Sequence, residues 1–313
     1  MKDQCLVSII ISNYNYQQFL KDAIDSALDQ TYDPVEVIVV DDGSTDNSPE
    51  IIKEYGNKIT PILKENQGRI STWNCGYAES RGDILCFLDS DDVFLPYKVQ
   101  FVVDKFEEYP QIGWCFHYLK NRDRFNHPVA DNKKETNFEG IIDLRDAIKK
   151  GHTRYPYIPP PTSGLSFKRS IFSRIYPVPE TIVDPYDEFL QIASLYLSQG
   201  YHTKEKLGTR RWHETNISTQ REKHRPYRTE INGIQVAYYL RTRFPEIGKF
   251  SDRLFARSMA RLWVRKRMKL KEIPELKQYL TLYYSGGKWF IHSLRMMINI
   301  GRVLFNQFKR KLL

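Results

Sequence analysis

Apolar residues along the first 120 positions alternate between two spacings. Val7–Ile11, Glu36–Val40, Ile59–Leu63, Ile84–Leu88 and Ile112–Tyr118 are short β-branched or apolar runs, as expected of strands buried on both faces. Between them the apolar positions recur at helical intervals. Phe19, Leu20, Ala23, Ile24, Ala27 and Leu28 share one face of Gln17–Gln30, and Arg69–Ser80 and a segment from Pro96 to Tyr109 read as further helices. Asn47-Ser48-Pro49 reads as a helix start, with a capping side chain and a proline just inside the first turn. Alternation of this kind predicts an α/β fold, a mostly parallel sheet with helices on both faces.

The rest of the chain is less regular. Asn121–Glu139 is polar without a period and predicts a loop. Tyr155–Pro161 holds four prolines and predicts an extended segment, and Thr162–Phe167 returns to the sheet. Asp187–Gln199 is an amphipathic helix that Gly200 would close. From about Thr229 the pattern is mostly helical and basic. No internal repeat is present.

Composition narrows the class. At 313 residues and 41% hydrophobic the chain can bury a sizeable core. A mean hydropathy of -0.54, with no apolar run of spanning length, excludes a polytopic membrane protein. Met1-Lys2-Asp3-Gln4 leads straight into a strand-like run and reads as no signal peptide. Cys5, Cys75, Cys86 and Cys115 lack metal-site spacing and read as reduced thiols in a cytosolic compartment. The net charge of +9 hides an asymmetry: residues 1–200 carry 21 Lys/Arg against 30 Asp/Glu, and residues 201–313 carry 26 against 8. The two halves therefore suit different partners.

Ligands of open parallel sheets bind at the carboxyl ends of the strands. Here those ends are acidic: Glu36–Val40 runs into Asp41-Asp42-Gly43-Ser44, and Ile84–Leu88 into Asp89-Ser90-Asp91-Asp92. One such cluster is an ordinary cap or turn. Two at one edge repel each other unless something positive lies between them. Ser12-Asn13-Tyr14-Asn15 and Glu65-Asn66-Gln67-Gly68 are the turns after the first and third strands. Neither a GxxxxGK[ST] nor a GxGxxG phosphate loop occurs, so a phosphorylated ligand must meet a metal or basic side chains. Aspartates spaced D-x-D suit Mg2+ or Mn2+.

Val7–Asn15, the stretch Glu36–Ser48, the stretch Asn66–Gly82 and Asp89-Ser90-Asp91-Asp92, in this order and spacing, resemble the family 2 glycosyltransferases of GT-A fold. The resemblance covers residues 6–118 and extends more loosely to about Ser218. It implies a catalytic domain over 1–220, with a nucleotide-sugar half to about 118 and an acceptor half after it. A basic helical region over 221–313 would follow. It further implies a nucleotide-sugar donor, a divalent metal (Mn2+ or Mg2+) and inversion at the anomeric carbon.

By position, Ser12, Asn13, Tyr14 and Asn15 would line the nucleoside. Asp41 or Asp42 would bond the base, and acceptance from a uracil N–H would favour UDP. Asn66, Gly68 and Asn74 match the next motif; the arginine that often precedes the last of these is Trp73 here. Asp89 would meet the ribose or metal, Asp91 the metal and Asp92 the donor sugar. Thr162-Ser163-Gly164 with Lys168-Arg169 resembles the strand facing the acceptor. Arg211-Trp212-His213-Glu214-Thr215-Asn216-Ile217-Ser218 resembles the stretch whose Arg and His lie near the diphosphate or metal. Asp187 would be the general base, with Glu188 the second choice.

Lys288, Arg295, Arg302 and Lys309 recur every seven residues beside an apolar face containing Phe290, Leu294, Met297, Leu304 and Phe308. Residues 286–313 thus read as an amphipathic helix suited to an anionic membrane surface. Packing on the catalytic domain or pairing in a homo-oligomer is the alternative. The expected protein is cytoplasmic and peripheral to the membrane, with a glycan or lipid-linked acceptor in surface polysaccharide or glycolipid assembly. No nucleic-acid motif accompanies the basic residues. The rival classes are a sugar nucleotidyltransferase, which needs a Gly-rich basic loop after the first strand, and a non-catalytic binding or scaffold relative.

Overall fold

The computed structural model describes residues 4–129, 138–152, 160–182, 187–213, 216, 225–264, 274–284 and 297–301. β1 (Val7–Asn13), β2 (Val35–Asp41), β3 (Thr60–Leu63) and β4 (Ile84–Asp89) run parallel, in the order β3-β2-β1-β4. They are joined by α1 (Gln17–Leu28), α2 (Ser48–Glu54) and α3 (Arg69–Glu79). The central strands are apolar on both sides because both sides are covered. Val7, Ile9, Ile11, Val37, Val39, Cys86 and Leu88 share a core with Leu20, Ala23 and Ile24 of α1 and with Val99 and Val102 of α4 (Lys98–Glu108). On the other face Gly76 of α3 lies against Ile10 and Val40.

The sheet continues with five further strands among the described residues, of which the sequence pattern announces those beginning at Ile112 and Leu165 but not the other three. β5 (Asp92–Phe94), β6 (Ile112–Asp123), β7 (Gly140–Ile142), β8 (Leu165–Lys168) and β9 (Gln199–Trp212) extend it through β4-β8-β6-β9-β5, with β7 on β9. β8 is antiparallel to β4 and β6, β9 is parallel to β6, and β5 and β7 are antiparallel to β9. The sheet is therefore mixed but mostly parallel. Three expectations shift. The start of the polar Asn121–Glu139 stretch still belongs to β6, because Lys120–Asp123 pairs with Thr209–Trp212. A short helix, α6 (Arg169–Ile175), follows β8. Gly200 lies inside β9 rather than capping α7 (Asp187–Leu197), and an added Cβ would overlap the Trp114 ring.

The chain forms two compact units. The first comprises Met1–Leu144, Tyr155–Glu180 and Leu190–Glu214, and holds the sheet. The second comprises Arg145–Arg154, Thr181–Phe189 and Thr215–Leu313. Two short segments thus join the C-terminal helices, and α7 starts in the second unit and ends in the first. The second unit contains α5 (Arg145–Lys149), α8 (Arg225–Arg243), α9 (Gly248–Val264) and α10 (Pro274–Tyr284). Ile234, Ala237, Leu240, Phe255 and Tyr279 are buried there, and Phe255 and Tyr279 stack with centroids 4.1 Å apart. Glu275 accepts hydrogen bonds from Thr181 at 2.7 Å and Tyr239 at 3.3 Å. Of the amphipathic segment 286–313, residues 297–301 are described and helical, with Met297 and Ile298 exposed; the rest lies outside the described residues.

Candidate active site

Parallel register brings the predicted residues to one edge. Asn13 pairs with Asp41, and Ser12 with both Val40 and Asp89, so the carboxyl ends of β1, β2 and β4 are level. Asp41 is buried and accepts from Asn13 Nδ2 at 2.7 Å, Ser44 N at 2.8 Å and Ser44 Oγ at 2.6 Å. Asp42, also buried, accepts from Lys64 Nζ at 2.6 Å, Gln67 N at 3.0 Å and Gly68 N at 2.8 Å. Charge-assisted bonds of this kind fix the loops after β2 and β3 against each other. The approach is close enough that a Cβ at Gly43 (φ 75°) would meet Asn66 N at 2.8 Å. Asn66 and Gly68 themselves are exposed.

The turn after β1 is held in the same way. Asn15 takes a left-handed backbone (φ 56°), donates its N–H to Ser44 Oγ at 2.8 Å and accepts from Thr45 N at 2.7 Å. Tyr14 beside it is exposed, whereas Ser12 is buried and accepts from Thr72 Oγ1 at 2.7 Å. Asn74 faces elsewhere: its amide clamps Val178 through bonds of 2.9 and 2.8 Å and donates to Glu180 at 3.0 Å.

The second acidic cluster is compact. One carboxylate oxygen from each of Asp89, Asp91 and Asp92 lies within 4.8 Å of the others. Asp92 is the buried member. Ser163 Oγ donates to its Oδ2 at 2.6 Å, and Arg211 N to its Oδ1 at 3.3 Å. Burial, and then the charge of Asp91, push its carboxyl up to about 7. Asp89 is ion-paired with Arg69.

Pairing of β5 with β9 (Asp92 opposite Arg210) carries the end of β9 to this cluster and sets His213 Nε2 3.2 Å from Asp91 Oδ2. The imidazole packs on Phe19 at 4.4 Å and edge-on to Tyr16 at 5.5 Å. The Arg211 side chain turns to Asp22 at 2.6 Å, over the Phe19 ring. A donor set of carboxylate oxygens with one imidazole fits a hard divalent ion. Asp89, Asp91 and Asp92 are close enough together to hold such an ion, with His213 beside Asp91.

Asp187 and Glu188 belong to the second unit, in the first turn of α7, where the helix dipole favours carboxylates. Burial pushes the Glu188 carboxyl up to about 7 against the opposing influence of Arg257. Lys168 and Arg169 stand at the other end of β4 from the acidic clusters: Lys168 donates to Pro110 O and Arg169 to Gly82 O. Ser163 and the short turn around it back Asp92 instead. Lys64 and Arg69 are polar partners that the motifs did not name, and Ser163, expected on a strand facing the acceptor, serves Asp92 instead. The helical interval between Arg69 and Trp73 was the one signal available for the first two.

The glycosyl transferase family 2 model matches residues 8–174, more than half of the sequence, and the chain belongs to that family. An uncharacterized glycosyltransferase of Nostoc sp. is 37% identical over 176 residues, 55% of this chain and 53% of that protein. One from Rickettsia typhi is 40% identical over 214 residues, 64% of each. The chain thus spans less than two thirds of the length of these relatives. Among solved structures, S. aureus TarS 1-349 in complex with UDP-GlcNAc superposes with a TM-score of 0.64 at 16% identity, over 98% of this chain and 92% of that one. Mannosyltransferase PcManGT from Pyrobaculum calidifontis, in complex with GDP-Man and Mn2+, gives 0.51 at 17% identity, over 97% and 88%. At such identities the likeness establishes a shared GT-A fold.

Proposed function

We propose that this chain is an inverting, metal-dependent glycosyltransferase that moves a sugar from a nucleoside-diphosphate donor, preferentially a UDP-sugar, to an acceptor hydroxyl. The observation that carries the reading is the delivery of His213 to Asp91 beside Asp89, at the same sheet edge as Asn13 and Asp41. Asp89, Asp91 and His213 would hold Mn2+ or Mg2+, which when bound supplies Lewis-acid neutralisation of the charge growing on the departing diphosphate. Asp42 or Asp41 reads the base, and Tyr14 and Asn15 line the nucleoside. Asp92 and the Arg211 backbone keep the end of β9 in place.

Asp187 is the general base that takes the acceptor proton, and Glu188 is the second choice. General-base catalysis of this kind is worth about 10²–10⁴-fold in rate, and burial pushes the carboxyl of Glu188, the second choice, up to about 7. The acceptor is a glycan or lipid-linked sugar, in keeping with the basic region after residue 200. Donor turnover across a nucleotide-sugar panel, with and without Mn2+, tests the reading. Wild type should consume UDP-sugars only with metal. Asp91→Asn should lose metal-dependent donor binding, and Asp187→Asn should lose transfer while keeping donor affinity. Metal-independent binding in both the wild type and Asp91→Asn would overturn the ligand assignment.

A further inference from the structure

We propose that Arg69 is a donor-binding arginine, which holds Asp89 until a nucleoside diphosphate arrives and then turns its guanidinium to the diphosphate. The inference deepens the donor reading above and rests on it. Arg69 opens α3 directly after Gly68, whose N–H is bonded to Asp42. Its side chain is 23% exposed and that of Asp89 17%, so the pair is open to solvent on one side.

Arg69 and Trp73 lie one helical turn apart on the same face of α3. The guanidinium carbon sits 5.7 Å from the centre of the Trp73 ring, which is itself 1% exposed. A buried indole therefore sets the height of the guanidinium over the acidic edge and favours its positive charge. The family pattern places an arginine at position 73. Here that position is an indole, and a cation one turn earlier rests on it, against Asp89.

Charge accounting assigns this cation its role. Lys64 is bonded to Asp42, Arg211 to Asp22 and His213 to Asp91. The carboxylate that holds Arg69 is one that a divalent ion would claim. Once Asp89 turns to such an ion, a planar guanidinium with paired donors is left facing the incoming phosphate oxygens, a geometry it matches in bidentate fashion.

Isothermal titration of the full chain with UDP in saturating Mn2+, and separately with Mn2+ alone, tests the assignment in wild type, Arg69→Ala and Arg69→Lys. Arg69→Ala should weaken UDP binding roughly ten- to a hundredfold, the worth of a charged hydrogen bond, and Arg69→Lys should recover part of it. Mn2+ alone should bind Arg69→Ala at least as tightly as wild type, because Asp89 has lost its competing cation. Unchanged UDP affinity in Arg69→Ala overturns the proposal. So does a parallel loss of UDP and Mn2+ binding with a lowered melting point, which marks Arg69 as structural. A wild-type chain that binds neither UDP nor GDP, with or without metal, overturns the donor reading and this inference together.

Discussion

Two carboxyls, Asp92 and Glu188, share a shifted titration near neutrality for the same leading reason, burial, but their surroundings differ. Asp92 accepts two hydrogen bonds and lies beside Asp91, whereas Glu188 is opposed by the charges of Arg257 and Arg261. The fold raises both pKa values, so between the ordinary carboxylate value and about 7 the native state binds more protons than the unfolded chain. By linkage the stabilising contribution is complete below the unfolded pKa and is lost as pH rises through about 7. Glu188→Gln removes one of the two titrations. Its melting temperature relative to wild type should therefore rise between pH 5 and pH 8, the Asp92 titration being common to both proteins. A difference that stays constant across that range would show Glu188 to be solvated in both states.

Elements built from local pattern were legible, and elements built from pairing were not. β1 to β4 and α1, α3 and α4 are apolar runs and helical stripes that burial on both sides of a sheet demands, and all were visible in the sequence. β5 is three residues long, and β9 exposes Lys204 and Glu205 in its middle where its register with β6 slips. Neither has a period to read: β5 exists because β9 supplies its hydrogen bonds, and β9 because β6 supplies its own. The same contrast divides the site. The acidic clusters could be read as motifs, whereas Ser163 behind Asp92 depends on β8 arriving antiparallel between β4 and β6. Ser163 Oγ donates to Asp92 and accepts from Asp89 N at 3.1 Å, joining β4, β5 and the turn before β8. Ser163→Ala leaves a buried carboxylate oxygen without its donor and should cost about 1–3 kcal/mol in urea unfolding. A cost near zero would mean that solvent already reaches this junction.

On the scale of the molecule, charge is the feature least explained by the catalytic reading. Residues 1–200 are net acidic, and the 26 Lys/Arg against 8 Asp/Glu after them exceed what a diphosphate needs. Among the described residues no helix is long and apolar enough to cross a membrane. Lys288, Arg295, Arg302 and Lys309 are the seven-residue series predicted to border the apolar face of an amphipathic helix. Each basic residue held near an anionic leaflet is worth about 1 kcal/mol. Reversing all four to glutamate should then cost at least ~4 kcal/mol, roughly a thousandfold in partitioning. Flotation of the full chain with phosphatidylserine vesicles is the measurement. Wild type should float at low salt and release as the screening length shrinks from ~10 Å at 0.1 M to ~3 Å at 1 M, and the reversed variant should stay in the pellet fraction throughout. Equal flotation of the two proteins would remove these four basic residues from any membrane role and leave their charge to serve an acidic acceptor. Binding to neutral vesicles that is indifferent to salt would assign the contact to the apolar face alone.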